Sequence, residues 1–213
     1  MPIGVICVCG KYRTGKSYLL NKVLLNSKCV FTVGPTINPC TKGLWLWKRV
    51  FKVSEEDDFC VLIIDTEGLG ALDEDDDHDN RIILLGLLLS SLIMYNSMGS
   101  IDENALLSLS LVVNIAKNLH SKNNPSAEPE EFAKNFPSFL WILRDFSLQL
   151  TDIEGNKISA KQYLENALAM QKGNSEIIEN KNKIRRLLTY FFSERDCSVL
   201  VRPTENESII QVF

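Results

Sequence analysis

Apolar residues in this 213-residue chain come in short runs that alternate with stretches of helical spacing almost from end to end. Ile3 to Val8 (IGVICV) has strand length, and Tyr18 to Leu25 repeats at helical spacing, predicting a helix from about Gly15 to Asn26. Ser27 to Thr41 carries Gly34, Pro35, Asn38 and Pro39 and reads as an irregular loop. Gly43-Leu44-Trp45-Leu46-Trp47 alternates into a second strand that continues to about Val53. After a turn at Ser54 to Asp58, Phe59 to Ile64 (FCVLII) is apolar at every position. That is the pattern of a strand covered on both faces of a parallel sheet.

The second half repeats the alternation. An apolar helix over about Asn80 to Ser90 leads into an inner strand, Leu92 to Asn96. Asp102 to Leu119 is a long helix with Asp102 placed to cap it. Ser121 to Asn135, polar and proline-bearing, is a surface connection, and Phe139 to Leu143 is the next strand. Lys157 to Met170 and Ser175 to Phe192 are helices, the second amphipathic with Lys181, Lys183, Arg185 and Arg186; Ser198 to Val201 is a last strand. The predicted fold is α/β, a mostly parallel sheet with helices on both faces. Ligands of such sheets lie at the carboxyl ends of the strands.

The chemistry-bearing residues fall at those ends. Gly10-Lys11-Tyr12-Arg13-Thr14-Gly15-Lys16-Ser17 reads G-x-x-x-x-G-K-S between the first strand and the helix that Tyr18 continues. In that setting the backbone N–H groups curl around a phosphate, and the helix dipole adds partial positive charge. Lys16 reaches the terminal phosphates and Ser17 offers its hydroxyl to Mg²⁺. The architecture narrows accordingly to the three-layer P-loop NTPase fold. Asp65-Thr66-Glu67-Gly68-Leu69 follows a buried strand: Asp65 is expected at the Mg²⁺ site through water, and the Gly68 N–H at the γ-phosphate.

Other positions leave a choice. A carboxylate at Asp145 accepts two hydrogen bonds from guanine N1–H and N2–H₂, whereas adenine presents an acceptor and a C–H there. Arg144 stacks on the base or braces that carboxylate, unless the pair is merely an exposed Arg-Asp. Leu69 stands where small GTPases place a water-orienting glutamine, so charge stabilisation falls to Arg13, unless Arg13 faces solvent or pairs with a carboxylate. Among Thr32, Thr36 and Thr41, Thr41 is the candidate switch ligand to Mg²⁺, its alternative being a strand-start cap. Asp73 to Asp79 (DEDDDHD) matches the first calcium-loop ligands. The sixth position is His78 and the twelfth Leu84, so the stretch is expected to be a solvated loop.

Composition excludes other classes. The net charge of −4 gives no reason to expect nucleic acid or an anionic membrane surface as partner. Six cysteines without CxxC or zinc spacing, and without a signal peptide, are expected as reduced thiols of a cytoplasmic protein. The longest apolar run, Ile82 to Tyr95, is too short to span a bilayer.

Taken together, GKYRTGKSYLLNK, PCTKGLWLW, IDTEGLG, LLSSLIMYNSMGSID, FPSFLWILRDFSLQL and LVRP closely resemble the GTPase domain of the guanylate-binding protein family, within the dynamin-like large GTPases. More distantly the chain resembles the atlastins. The resemblance implies hydrolysis of GTP to GDP and phosphate with Mg²⁺, activated by nucleotide-dependent homodimerisation through the nucleotide face. Dimerisation there turns the arginine matched by Arg13 onto the phosphates in cis. Thr41 matches the switch threonine, Ser17 the Mg²⁺ serine and Arg144-Asp145 the guanine reader. Val33-Gly34-Pro35 matches a stretch over the nucleotide, and Arg202-Pro203 opens the guanine cap. Two departures stand out. Pro39 replaces a serine that helps hold the water. The domain of the family also starts earlier and ends later, with a helical assembly domain beyond, so the chain is expected to be truncated at both ends. The competing reading is a GTP-gated interaction module with negligible hydrolysis.

Overall fold

A computed structural model describes residues 2–27, 30–34, 40–47, 59–70, 76–123 and 133–202. Pro35, Thr36, Pro39, Asp73, Asp75 and Pro203 lie outside the described residues. Among the described residues, six strands form one sheet in the order β2-β3-β1-β4-β5-β6: β1 (Ile3–Gly10), β2 (Leu44–Leu46), β3 (Cys60–Thr66), β4 (Leu92–Met98), β5 (Ser138–Arg144) and β6 (Arg195–Leu200). All pairings among the inner strands are parallel, and only β2 runs antiparallel, against β3. Connections leave β1 toward β3 and return to β4 on its other side, so β1 is the switch point where such sheets bind ligands.

Alternation along the strands builds two cores. Val8, Ile63, Met94 and Ile142 face one side, under Leu19, Leu20 and Phe31. Cys9, Ile93, Tyr95, Trp141 and Leu143 face the other, under α2 (Asp76–Leu89), α3 (Glu103–Asn123), α4 (Ala160–Leu168) and α5 (Glu176–Phe191). Three layers result, as the sequence predicts.

Four local expectations need correcting. Helix α1 (Lys16–Leu19) widens into a π-turn over Leu20–Leu24 instead of running as α-helix to Asn26. The extra residue in that turn buries Leu20 and Asn21 side by side. Asn21 then donates to the Phe31 carbonyl at 2.8 Å and accepts the Phe31 N–H at 2.8 Å. The acidic stretch is not all loop: Asp76 to Asp79 form the first turn of α2, where the Asp77 and Asp79 carboxylates complement the helix dipole. Helix α3 continues into the segment expected as a connection, as far as Asn123. Arg185 is not on the wet face of its helix. It is buried, and its guanidinium donates to both carboxylate oxygens of Glu103 and, through Nε, to the Ala167 carbonyl at 3.1 Å. Asp102 caps α3 as expected, its Oδ1 accepting the Ala105 N–H at 2.7 Å, while the helix expected from Lys157 begins only at Ala160 and the last strand already at Arg195. The expected continuation of the second strand to Val53 and the turn at 54–58 lie outside the described residues.

Candidate functional site

The loop after β1 is held open by its neighbours. At Gly10, with φ 143°, an added Cβ would stand 2.0 Å from the Asn96 carbonyl oxygen, so only glycine permits this approach of β1 to β4. Asn96, fully buried, also sends its Nδ2 to the Thr14 carbonyl at 3.0 Å. Thr14 donates to the Lys11 carbonyl at 2.7 Å, closing the loop on itself. Gly15 enters α1 at φ 75°, and Arg13 takes φ 61°, a left-handed conformation uncommon outside glycine.

Lys16 is buried at 6% exposure, and its Nζ donates to the carbonyls of Gly10 (3.2 Å) and Lys11 (3.1 Å). Desolvation pulls its pKa below the ordinary lysine value, while the charge of Asp65 works against that fall. Asp65 itself is fully buried; burial raises its pKa, and hydrogen bonds from Ser17 and the charge of Lys16 pull it back.

Ser17, Thr41 and Asp65, separated by up to 48 positions in the chain, meet at one point. The Ser17 hydroxyl donates to Asp65 Oδ2 at 2.6 Å, Thr41 Oγ1 lies 3.3 Å from the same oxygen, and the two hydroxyls are 3.4 Å apart. Among the described residues, buried Asp65 Oδ1 has no hydrogen-bond partner. Two hydroxyls around a carboxylate with an uncommitted oxygen form an all-oxygen donor set, the kind a hard divalent cation such as Mg²⁺ takes.

The Asp65–Gly68 segment docks directly on the phosphate loop. Tyr12 N–H donates to the Leu69 carbonyl at 2.8 Å and Leu69 N–H to the Gly10 carbonyl at 3.1 Å. A Cβ on Gly68 would stand 2.1 Å from Tyr12 Cα. Thr66, fully buried, donates to the Val8 carbonyl at 2.9 Å.

Between these elements lies an open cleft of about 520 Å³ including its solvent mouth. It gathers Tyr12, Arg13, Gly15, Lys16, Ser17 and Tyr18 with Val33, Gly34, Thr41, Thr66 and Gly68. Arg13 Nη1 donates to the Gly34 carbonyl at 3.3 Å, so it bridges the phosphate loop to the facing segment. Lys11 is exposed, and Leu69, paired with it in an isolated parallel bridge, is buried.

Two expected residues stand differently. Arg144 is buried, with Nη1 donating to the Gly15 carbonyl at 3.3 Å and the guanidinium 6.0 Å from the Tyr18 ring centroid. It braces the phosphate loop from below, which leaves Asp145, left-handed at φ 53°, at the end of β5. Glu67 turns from the cleft toward Gly43 and His78. The sequence reading missed Asn96, Asn21 and His78. The signal for the first two was a carboxamide inside an apolar run, since a buried polar group needs a partner.

Comparisons with known proteins agree with this geometry. The family described as "Guanylate-binding protein, N-terminal domain" matches residues 1–213. Guanylate-binding protein 1 of Chlorocebus aethiops is 38% identical over 216 residues, 99% of this chain and 36% of that protein. Guanylate-binding protein 4 of Homo sapiens is 39% identical over 98% of this chain and 33% of its own length. The chain thus spans about a third of the length of these relatives. A crystal structure of Toc33 from Arabidopsis thaliana in complex with GDP and Mg²⁺ superposes with TM-score 0.52 at 16% identity, covering 97% of this chain and 75% of that one. It shows the shared α/β P-loop fold. With the family matched across its whole length, this chain belongs to the guanylate-binding proteins, in their N-terminal domain.

Proposed function

We propose that the chain binds GTP with Mg²⁺ in this cleft and hydrolyses it to GDP and phosphate. The observation that carries the reading is the meeting of Ser17, Thr41 and Asp65 beside buried Lys16, in a member of the guanylate-binding family. Toc33 holds GDP and Mg²⁺ on the same fold, which is in keeping with it. Ser17 and Thr41 would hold Mg²⁺ directly and Asp65 would hold it through water, and the ion would supply charge neutralisation for the transferring phosphoryl group.

The protein's own groups do the remaining work. Backbone N–H groups from Gly10 to Ser17 cradle the phosphates, with Tyr18 behind them. Lys16, now resting on two carbonyls, transfers to the terminal phosphates. Thr66, Gly68 and the main chain of Glu67 and Leu69 border the γ-phosphate, where the Gly68 N–H is the donor. Val33 and Gly34 lie over the nucleotide. Asp145 reads guanine, and Arg144 sets its position through the loop it braces. Arg13 supplies charge to the transition state once it leaves the Gly34 carbonyl, and dimerisation across the nucleotide face is the event that releases it. The working form is a nucleotide-dependent homodimer in the cytoplasm. Among the described residues no helix is long and apolar enough to cross a membrane.

Arg13 resting on Gly34 favours a second reading, a GTP-gated dimerisation module with negligible hydrolysis. Phosphate release with GTP and with ATP decides between the two. Arg13→Ala is expected to lower GTP turnover on the order of 10³-fold with binding retained. Wild-type binding without turnover establishes the module instead, and preference for ATP refutes Asp145 as the base reader.

A further inference from the structure

The Glu67 side chain joins two segments that the phosphate chemistry does not connect. Its Oε2 accepts the Gly43 N–H at 2.6 Å, while Oε1 is held by Nε2 of His78, in the first turn of α2. The main chains add a second link, Glu67 N–H to the Gly43 carbonyl at 2.9 Å. Gly43 takes φ 71°, and nothing lies within 4 Å of the position its Cβ would take. That left-handed turn lets one residue present both its N–H and its C=O to the same neighbour.

Gly43 lies two residues beyond Thr41 and leads into β2, where Leu44 pairs with Thr66. Residues 41–43 therefore hang from the end of β3 at two points, the Thr41 hydroxyl on Asp65 and the Gly43 peptide on Glu67. The Glu67 side chain is only 9% exposed, so its carboxylate needs both donors to offset lost hydration. A glutamate also gives up rotamer freedom when fixed, and one amide alone holds it weakly. Asp79, on the same turn of α2, accepts the Gly70 N–H. The start of α2 thus grips the 67–70 segment at both ends.

We propose that His78 is a positioning residue: by fixing the Glu67 carboxylate it holds the Gly43 amide, and so sets where the Thr41 hydroxyl stands against Asp65. The part played by Thr41 in GTP hydrolysis rests on the function proposed above; the latch itself requires no nucleotide.

The test follows amide hydrogen exchange by NMR on the nucleotide-free chain, with thermal melting on the same samples. Wild type, His78→Ala, His78→Gln and Glu67→Ala are compared. Gly43 exchange is slow in wild type. It is expected to accelerate about tenfold or more in His78→Ala and Glu67→Ala, and to recover in His78→Gln, whose amide donor reaches the same oxygen. GTP turnover by His78→Ala falls about tenfold in kcat with KM changed less than about twofold. Unchanged Gly43 exchange in a folded His78→Ala protein overturns the proposal. So does an acceleration spread evenly over β3, α2 and Gly43, which marks a merely structural histidine. A wild type that fails to turn over GTP refutes the proposed function, while the exchange data still decide the latch.

Discussion

Gly68→Ala isolates the docking of the Asp65–Gly68 segment on the phosphate loop. Its φ lies outside the left-handed region, so the added methyl costs nothing in backbone preference and acts by contact alone. That methyl would stand 2.1 Å from Tyr12 Cα, 2.3 Å from its Cβ and 2.7 Å from its N. Carbon pairs normally rest at about 3.5–4.0 Å, so the two segments must part by more than about 1 Å. Two of the obstructing atoms are backbone, and no rotamer change relieves them. Parting strains both Tyr12 N–H to Leu69 O (2.8 Å) and Leu69 N–H to Gly10 O (3.1 Å). Two such bonds at about 1 kcal/mol each, with about 1–3 kcal/mol for overpacking, give a loss of about 3–5 kcal/mol. For a domain of this size that lowers Tm by roughly 6–20 °C. Displacing the γ-phosphate donor by this distance is also expected to cost GTP turnover about a hundredfold. Gly70→Ala is the control: φ is +75° and nothing lies within 4 Å of its Cβ position, so it pays only a backbone cost of about 1–2 kcal/mol and keeps turnover. Calorimetric melting and phosphate release measure both effects. A Gly68→Ala protein that melts within about 2 °C of wild type and keeps its turnover refutes the steric reasoning.

Two further substitutions test other parts of the molecule. Asp145→Asn keeps a residue type that tolerates φ 53°, so the fold should hold while GTP affinity drops on the order of a hundredfold and the margin over ATP shrinks, as read by competitive titration. Arg185→Met removes the buried guanidinium from Glu103 and should cost about 2 kcal/mol at neutral pH. The hydrogen bond from Arg185 holds the Glu103 pKa below its ordinary value of 4.5. A depressed carboxylate contributes stability that is complete above the unfolded value and fades as pH falls through the folded one. The difference in Tm between wild type and Arg185→Met should therefore narrow below pH 4.5; a gap that stays constant on acidification removes the ionic contribution.

What the sequence made legible was chemistry confined to one turn. The spacing of Gly10, Gly15, Lys16 and Ser17 is local, and the strand and helix around it are read from adjacent apolar positions. The meeting of Ser17 with Asp65 was also accessible, because parallel alternation delivers both to the same edge of the sheet. Thr41 was chosen among three threonines for its place just before the second strand, and its hydroxyl does reach Asp65. The acidic run misled because charge repulsion was weighed without the helix dipole that Asp77 and Asp79 complement. The Glu67 contacts were out of reach. They join a loop, a strand end and a helix start whose spacing carries no period.

The residues that interrupt apolar runs connect these two levels. Asn21, Asn96 and Arg144 each sit where a hydrophobic side chain would satisfy the pattern, and each is buried with a backbone carbonyl as partner. Asn21 fixes Phe31, three residues before the carbonyl on which Arg13 rests; Asn96 and Arg144 hold the Thr14 and Gly15 carbonyls. A loop whose N–H groups must point inward at an anion has to turn its carbonyls outward, and outward here means into the protein. Those carbonyls need donors that water cannot supply, and polar side chains inside the strands and helices supply them. The polar breaks in the hydrophobic pattern are thus the counterpart of the glycine spacing: one lets the loop curl, and the other keeps it curled.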